Sequence, residues 1–401
     1  MLWRMTEGFA FALVAVGCLW GANEQVLYNF SGADGSHSHT ALTYHAGVLY
    51  GATASGGAFN AGAIFKLQQT TSGLLETVLY SFTGGADGNG PFSDLIFDSG
   101  GNIYGDTSFG GTDGAGVVYK LTPAGTGYTE SVVYSFTGGS DGGLPFQNGK
   151  LLLDPYGNLY GTASEGGANN AGLVFKLTPS SNSWTETVLY NFTGGADGGA
   201  PNAALVRQGT SLFGVTYAGG AWGNGTVFKL TPSKGGWAET VLYSFAGGSD
   251  GANPEGGLVF DQAGNLYGTT YLGGSAGYGT VYRLTPSLSG WTESVLYRFG
   301  GGNDGANPVA SLIVDKTGNL YGTTSGSVNG LPDGYGSVFK LSATQSGWSE
   351  TVLHSFTGGN DGGNPFDSLL LLGGNLYGTT RDGGSSGFGG PGKGVVFRIG
   401  L

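Results

Sequence analysis

The sequence predicts an all-β fold: a seven-bladed β-propeller of four-stranded antiparallel blades, closed into a ring when the N-terminal strand joins the last blade. Three observations carry this prediction. The tripeptide Val-Leu-Tyr or a close variant ends at Tyr28, Tyr80, Tyr134, Tyr190, Tyr243, Tyr297 and His354, a repeat of 52 to 57 residues. Each copy holds four short apolar segments separated by turn residues, which is the pattern of one propeller blade. The third observation is phase: the chain opens on a fourth strand, 24–30, and closes on a third strand, 394–399. The two remnants complete one blade, which removes the unpaired edges that an open sheet presents.

The copy at 150–192 shows the elements in order. Segments 150–154, 158–162, 173–178 and 184–192 alternate apolar and polar residues, and Asp-Pro-Tyr-Gly, a glycine-rich run and Pro-Ser-Ser-Asn-Ser separate them. With 84 glycines and 13 prolines the chain approaches low-complexity composition, yet 39% apolar and 13% aromatic residues favour many short strands over disorder. The third strands carry Lys66, Lys120, Lys176, Lys229, Arg283 and Lys340, each followed ten residues later by Glu76, Glu130, Glu186, Glu239, Glu293 and Glu350. These are read as cross-strand ion pairs on one face, with Arg398 and Glu24 pairing across the closure.

A net charge of −12, with only 15 Lys plus Arg, weighs against nucleic acid and anionic membranes as partners. The single cysteine, Cys18, allows no intrachain disulfide. It lies in residues 1–22, read as a signal peptide or lipoprotein leader because Arg4 precedes the apolar run 9–17, with the propeller at 23–401. A secreted or cell-surface, monomeric protein with no transmembrane segment is expected, and Cys18 in Ala-Val-Gly-Cys is the candidate for a lipid anchor.

Asn-Leu-Tyr-Gly-Thr-Thr (265–270, 319–324, 375–380), Val-Phe-Lys-Leu-Thr-Pro (227–232) and Tyr-Ser-Phe-Thr-Gly-Gly (80–85, 134–139) recur through the chain. In these motifs the sequence resembles the GloVer tandem-repeat (choice-of-anchor) family of bacterial exported proteins. The resemblance covers nearly all of the chain after the leader. It implies the fold and an exported location, and it implies no activity.

Function is sought where copies differ. Asp34, Asp87, Asp141, Asp197, Asp250, Asp304 and Asp361, each in Gly-x-Asp-Gly or a close variant, read as turn caps. No cofactor is expected; Ca²⁺ on these carboxylates is the alternative. Asp98, Asp154, Asp261 and Asp315 read as hairpin caps on the opposite face. Glycines 51, 105, 161, 214, 268, 322 and 378, inside strands, mark crowding. His37 and His39 read as solvent-exposed loop side chains, with a transition-metal pair as the other option.

The connections between second and third strands vary most. They carry Trp222, Tyr217, Tyr271, Tyr278, Phe109, Tyr335 and Arg381, the candidate ligand-binding set, together with Phe59, Phe388, Glu165 and Asp333. Aromatics on a glycine-rich rim stack on sugar rings or cradle a peptide. No nucleophile–base–orienter set is legible, so no catalytic residue is named. The leading expectation is a non-enzymatic binding or scaffold module for extracellular carbohydrate or protein. A carbohydrate-active lyase or hydrolase at the central channel mouth is the alternative, and a purely structural module the third reading.

Overall fold

The computed structural model describes residues 24–71, 73–125, 127–145, 149–181, 183–326, 334–385 and 392–401. The leader, Cys18, Asp333 and Phe388 lie outside the described residues. Seven four-stranded antiparallel sheets form a ring, a seven-bladed β-propeller. Blades 1 to 6 span 43–81, 96–135, 152–191, 206–244, 259–298 and 313–355. Blade 7 takes its inner three strands from Leu370–Leu372, Asn375–Thr379 and Val395–Gly400, and its outermost strand from Glu24–Asn29. The predicted closure is therefore present, with Gln25 opposite Arg398 and Val26 opposite Phe397.

The core is not central. It lies in seven seams between neighbouring blades, each an apolar cluster shared by two sheets. In every seam a phenylalanine just past an outer strand meets edge-on the third-strand aromatic of the next blade. Phe136 and Phe175 lie 5.1 Å apart at 62°, and Phe30 and Phe65 repeat the contact across the closure at 5.1 Å. That third-strand ring lies over the strand glycine of its own blade. A β-carbon on Gly161 would sit 2.5 Å from Phe175 Cζ, and the other six in-strand glycines face the same kind of ring. Crowding at these positions is thus steric and specific.

The predicted lysine–glutamate pairs do not form, because the hairpins are built on two-residue turns. Ser287 pairs with Gly290 and Ser233 with Gly236, so paired positions are separated by odd numbers. Lys176 faces Thr187, whereas Glu186 faces Leu177 and points to the other side of the sheet. The lysine ammonium lies instead 5.8 Å from the centroid of Tyr160, its neighbour on the second strand. Arg398 donates to Gln25 at 2.7 Å, not to Glu24. Glu24, Glu76, Glu130, Glu186, Glu239, Glu293 and Glu350 each keep one buried carboxylate oxygen without a partner.

Candidate functional site

The connection entering each blade from its predecessor shapes one face of the ring. Its aspartate spends its oxygens locally: Asp87 accepts from the Thr83 amide at 2.7 Å, from the Tyr80 hydroxyl at 2.9 Å and from the Thr83 hydroxyl. Asp141 and Asp197 repeat all three bonds, and at Asp361 His354 takes the tyrosine's place at 3.3 Å. These carboxylates are turn caps. Asp98, Asp154, Asp261 and Asp315 likewise hold the amide and side chain of an asparagine four residues on. Those bonds hold their pKa values below the usual carboxylate value despite burial.

Three residues after each aspartate, the backbone turns left-handed before the chain descends toward the axis. His37, Leu144, Ala200, Asn253, Asn307 and Asn364 have φ between 48° and 56°, and Gly90 takes the seventh place. The carbonyl of this residue accepts from a backbone amide at the start of the same blade's second-to-third connection: Asn253 from Tyr271 at 2.9 Å, Ala200 from Tyr217 at 3.1 Å, Asn364 from Arg381 at 3.1 Å. Fold geometry thereby fixes a ring at the channel mouth consisting of Ala54, Ser108, Ser164, Tyr217, Tyr271, Ser325 and Arg381. Two residues beyond the left-handed turn stand His39, Phe92, Asn202, Glu255, Val309 and Phe366, and the blade 3 equivalent lies outside the described residues. Residue types at both levels differ from blade to blade, so the mouth is chemically asymmetric on a symmetric frame.

Two groupings stand on this mouth. On blades 4 and 5, Tyr217 and Tyr271 are close enough to interact electrostatically with each other and with Glu255, whose carboxyl is pushed up to about 7 by burial. In the connection entering blade 4 the buried side-chain carbonyl of Asn202 has no partner. Between blades 7 and 1 lies a pocket of about 440 Å³ lined by His37, His39, Ala54, Ser55, Phe92, Phe366 and Arg381. His39 packs 5.2 Å from Phe92 and 5.0 Å from Phe366, and the Arg381 guanidinium lies 5.6 Å from the Phe366 centroid. His39 is buried, not solvent-exposed, and burial lowers its pKa to about 3, so it is a neutral imidazole.

The other candidates scatter. Trp222 is 67% exposed, and Phe109 and Tyr335 are about half exposed, with no ring contact joining them among the described residues. Tyr278 packs into the seam between blades 5 and 6, against Gly301. Tyr335 lies over Gly358 of the following loop. Of the predicted set, then, Arg381 lines the pocket, Tyr217 and Tyr271 on the adjacent blades 4 and 5 are close enough to interact, and no ring contact among the described residues joins Trp222, Phe109, Tyr278 or Tyr335 to them.

Sequence reasoning missed three acids that break the repeat. Asp106 occupies the place held by Thr162, Thr269, Thr323 and Thr379, whose hydroxyls donate to a carbonyl of the next blade at 3.1–3.3 Å. Asp106 is buried, one carboxylate oxygen has no partner, and burial pushes its pKa up to about 8. Asp94, which accepts from the Ala41 amide at 2.7 Å, interacts with Asp106, Lys150 and the buried Asp367, itself raised well above the usual range. Among the described residues, no three such groups are arranged to hold a metal ion. Asp106→Thr is expected to raise stability by about 1–2 kcal/mol, measured by urea unfolding, because it removes a buried carboxyl oxygen that has no partner. An unchanged or lowered stability would show that Asp106 has a partner of its own.

Among the described residues, no helix is long and apolar enough to cross a membrane. No curated protein sequence matches the chain. Solved structures share the fold at low identity. A 6-phosphogluconolactonase candidate from Bacteroides uniformis is 11% identical over 79% of this chain and 84% of its own, with a TM-score of 0.51. A protein from Lactobacillus plantarum is 14% identical over 80% and 84%, with a TM-score of 0.51. An ancestral GH74 enzyme is 11% identical over 91% of this chain and 48% of its own, with a TM-score of 0.54. At such identities the likeness is one of fold. A family model matches residues 6–222 and 157–397, nearly the whole chain, and the protein belongs to the Gloeobacter/Verrucomicrobia repeat family.

Proposed function

We propose that this propeller is a non-catalytic binding module of the cell exterior that takes a carbohydrate at its channel mouth. One observation carries the reading: the residues that break the sevenfold repeat on this face are those expected of a sugar site. Aromatic rings with a guanidinium stand between blades 7 and 1, and tyrosines with a carboxyl stand at blades 4 and 5, while the repeated aspartates are consumed by their own turns. Flat rings cover the apolar faces of sugars, and a few fixed polar groups select their hydroxyls. Export rests on the leader read in residues 1–22. A protein ligand remains the competing partner class, and exposed Trp222 suits either.

The alternative of a lyase or hydrolase draws on Asp94, Asp106 and Asp367, whose raised pKa values resemble those of catalytic acids. Asp106 and Asp367 are each only 4% exposed, which favours binding over catalysis. A glycan array probed with the wild type, Tyr271→Ala and Trp222→Ala tests the reading. Retention of a glycan class is expected, with about tenfold weaker retention by Tyr271→Ala. If both variants bind as the wild type does, the aromatic assignment fails.

A further inference from the structure

The pocket between blades 7 and 1 carries more information than its volume. The Arg381 guanidinium makes no hydrogen bond to any described residue; Asp382 Oδ1 lies 3.9 Å from its Nε and 3.9 Å from His37 Nε2, while Asp382 Oδ2 accepts from Asn364 at 2.8 Å. A guanidinium offers five donors in a planar fork. Here it is held over the Phe366 ring with its side chain 42% exposed, so its donors remain available to a ligand. His39 lines the same pocket, is 7% exposed, and its Nδ1 has no partner. A buried ring nitrogen in that condition is costly unless something supplies the missing bond. The Lys393 ammonium also acts on this corner through its influence on His37, adding positive charge in a chain whose net charge is −12. The floor, formed by the rings of Phe92, His39 and Phe366, is apolar.

We propose that this pocket binds an anionic sugar residue, with Arg381 engaging the acid group, His39 Nδ1 bonding a ring hydroxyl and the aromatic floor taking the apolar face of the sugar. The inference rests on the binding-module reading above and narrows its ligand. Both a carboxylate and a sulfate ester match a guanidinium fork; the acid group is the shared chemistry. The mouth is asymmetric in the same sense. Glu255 stands on the opposite blades, so an acid-bearing chain crossing the channel has one orientation in which its charge meets Arg381 rather than a carboxylate.

Calorimetric titration of the full chain with three trisaccharides tests this: a uronate, its methyl ester and a sulfated neutral sugar. The wild type is expected to bind at least one acidic probe about ten- to a hundredfold more tightly than the ester. Arg381→Gln is expected to abolish that preference, and Arg381→Lys to restore it only in part because the fork is lost. Thermal melting confirms that both variants are folded. Whichever acidic probe binds more tightly identifies the source of the acid group. If the ester binds as well as both acids, or if Arg381→Gln leaves the preference intact, the anion site is overturned while the binding module stands. If neither these probes nor any glycan on the array is retained, both fall together.

Discussion

Replacing Phe30 with alanine is expected to destabilise the entire ring by about 3–5 kcal/mol, although Phe30 lies at the very start of the described chain. The residue is 1% exposed and packs at 5.1 Å against Phe65 of blade 1, while its amide donates to the Gly394 carbonyl at 3.1 Å. It therefore joins three stretches that are distant in sequence: the outermost strand of blade 7, the third strand of blade 7 and the first blade. Phe82, Phe136, Phe192, Phe245, Phe299 and Phe356 make the same contact in the other seams, so the closing seam is built as strongly as any internal one. Deleting 24–30 should go further. Strand Val395–Gly400 would then present an unpaired apolar edge, and edges of that kind pair with other chains. Aggregation on refolding is the expected outcome, read by light scattering. Urea unfolding followed by tryptophan fluorescence checks the point substitution. A loss under about 1 kcal/mol would mean that the N-terminal strand decorates a ring already stable without it.

Much of this architecture was legible because the repeat carries its own phase. The register of Val-Leu-Tyr placed every outer strand, and the missing fourth strand at the C-terminus announced the closure. The in-strand glycines and the turn aspartates were read correctly for the same reason: their physical roles are local, and seven copies vote on each. The lysine–glutamate pairing failed on a detail that spacing alone does not encode. A ten-residue separation puts two side chains opposite each other only across an odd-numbered loop, and these hairpins turn on two residues. The channel mouth was harder to see. Phe92, His39, Glu255 and Phe366 share one column of the repeat, and Asp106 breaks a column otherwise rich in threonine, so a comparison of copies position by position carries the signal. What sequence does not carry is distance. Residues on blades 7, 1 and 2 meet because seven blades close at one radius, and only closure reveals which loop residues reach the axis. Trp222, in the same variable connections, is 67% exposed, and exposure of that kind is not written in spacing either.

The seven outer-strand glutamates should give the protein an acid-favoured stability. Glu24, Glu76, Glu130, Glu186, Glu239, Glu293 and Glu350 are each pushed up to about 7, first by burial and then by the turn aspartate of the preceding connection. Each also keeps an oxygen without a partner, so the ionised form is poorly accommodated. A group whose folded pKa exceeds its unfolded value contributes stability in full below the unfolded value and loses it as pH rises through the folded one. Stability should therefore fall between about pH 4.5 and pH 7. Because the glutamates are only half buried, solvent screening reduces each contribution, and the seven together amount to roughly 3–6 kcal/mol. Two effects oppose this trend. The hairpin caps Asp98, Asp154, Asp261 and Asp315, with lowered values, withdraw stability as pH drops below the usual carboxylate range. His37, His39 and His354, whose values burial lowers, also favour higher pH, but they are three groups against seven. The optimum should accordingly lie near pH 4–5, an unusual place for a protein with a net charge of −12. Melting temperatures across pH 4 to 8 read it directly. Glu130→Gln, Glu186→Gln and Glu239→Gln together should raise the midpoint at pH 8, leave it nearly unchanged at pH 4.5, and flatten the slope between. A profile that is level or rises from pH 5 to pH 8 would show that the ring of carboxyls is solvated well enough to ionise without cost.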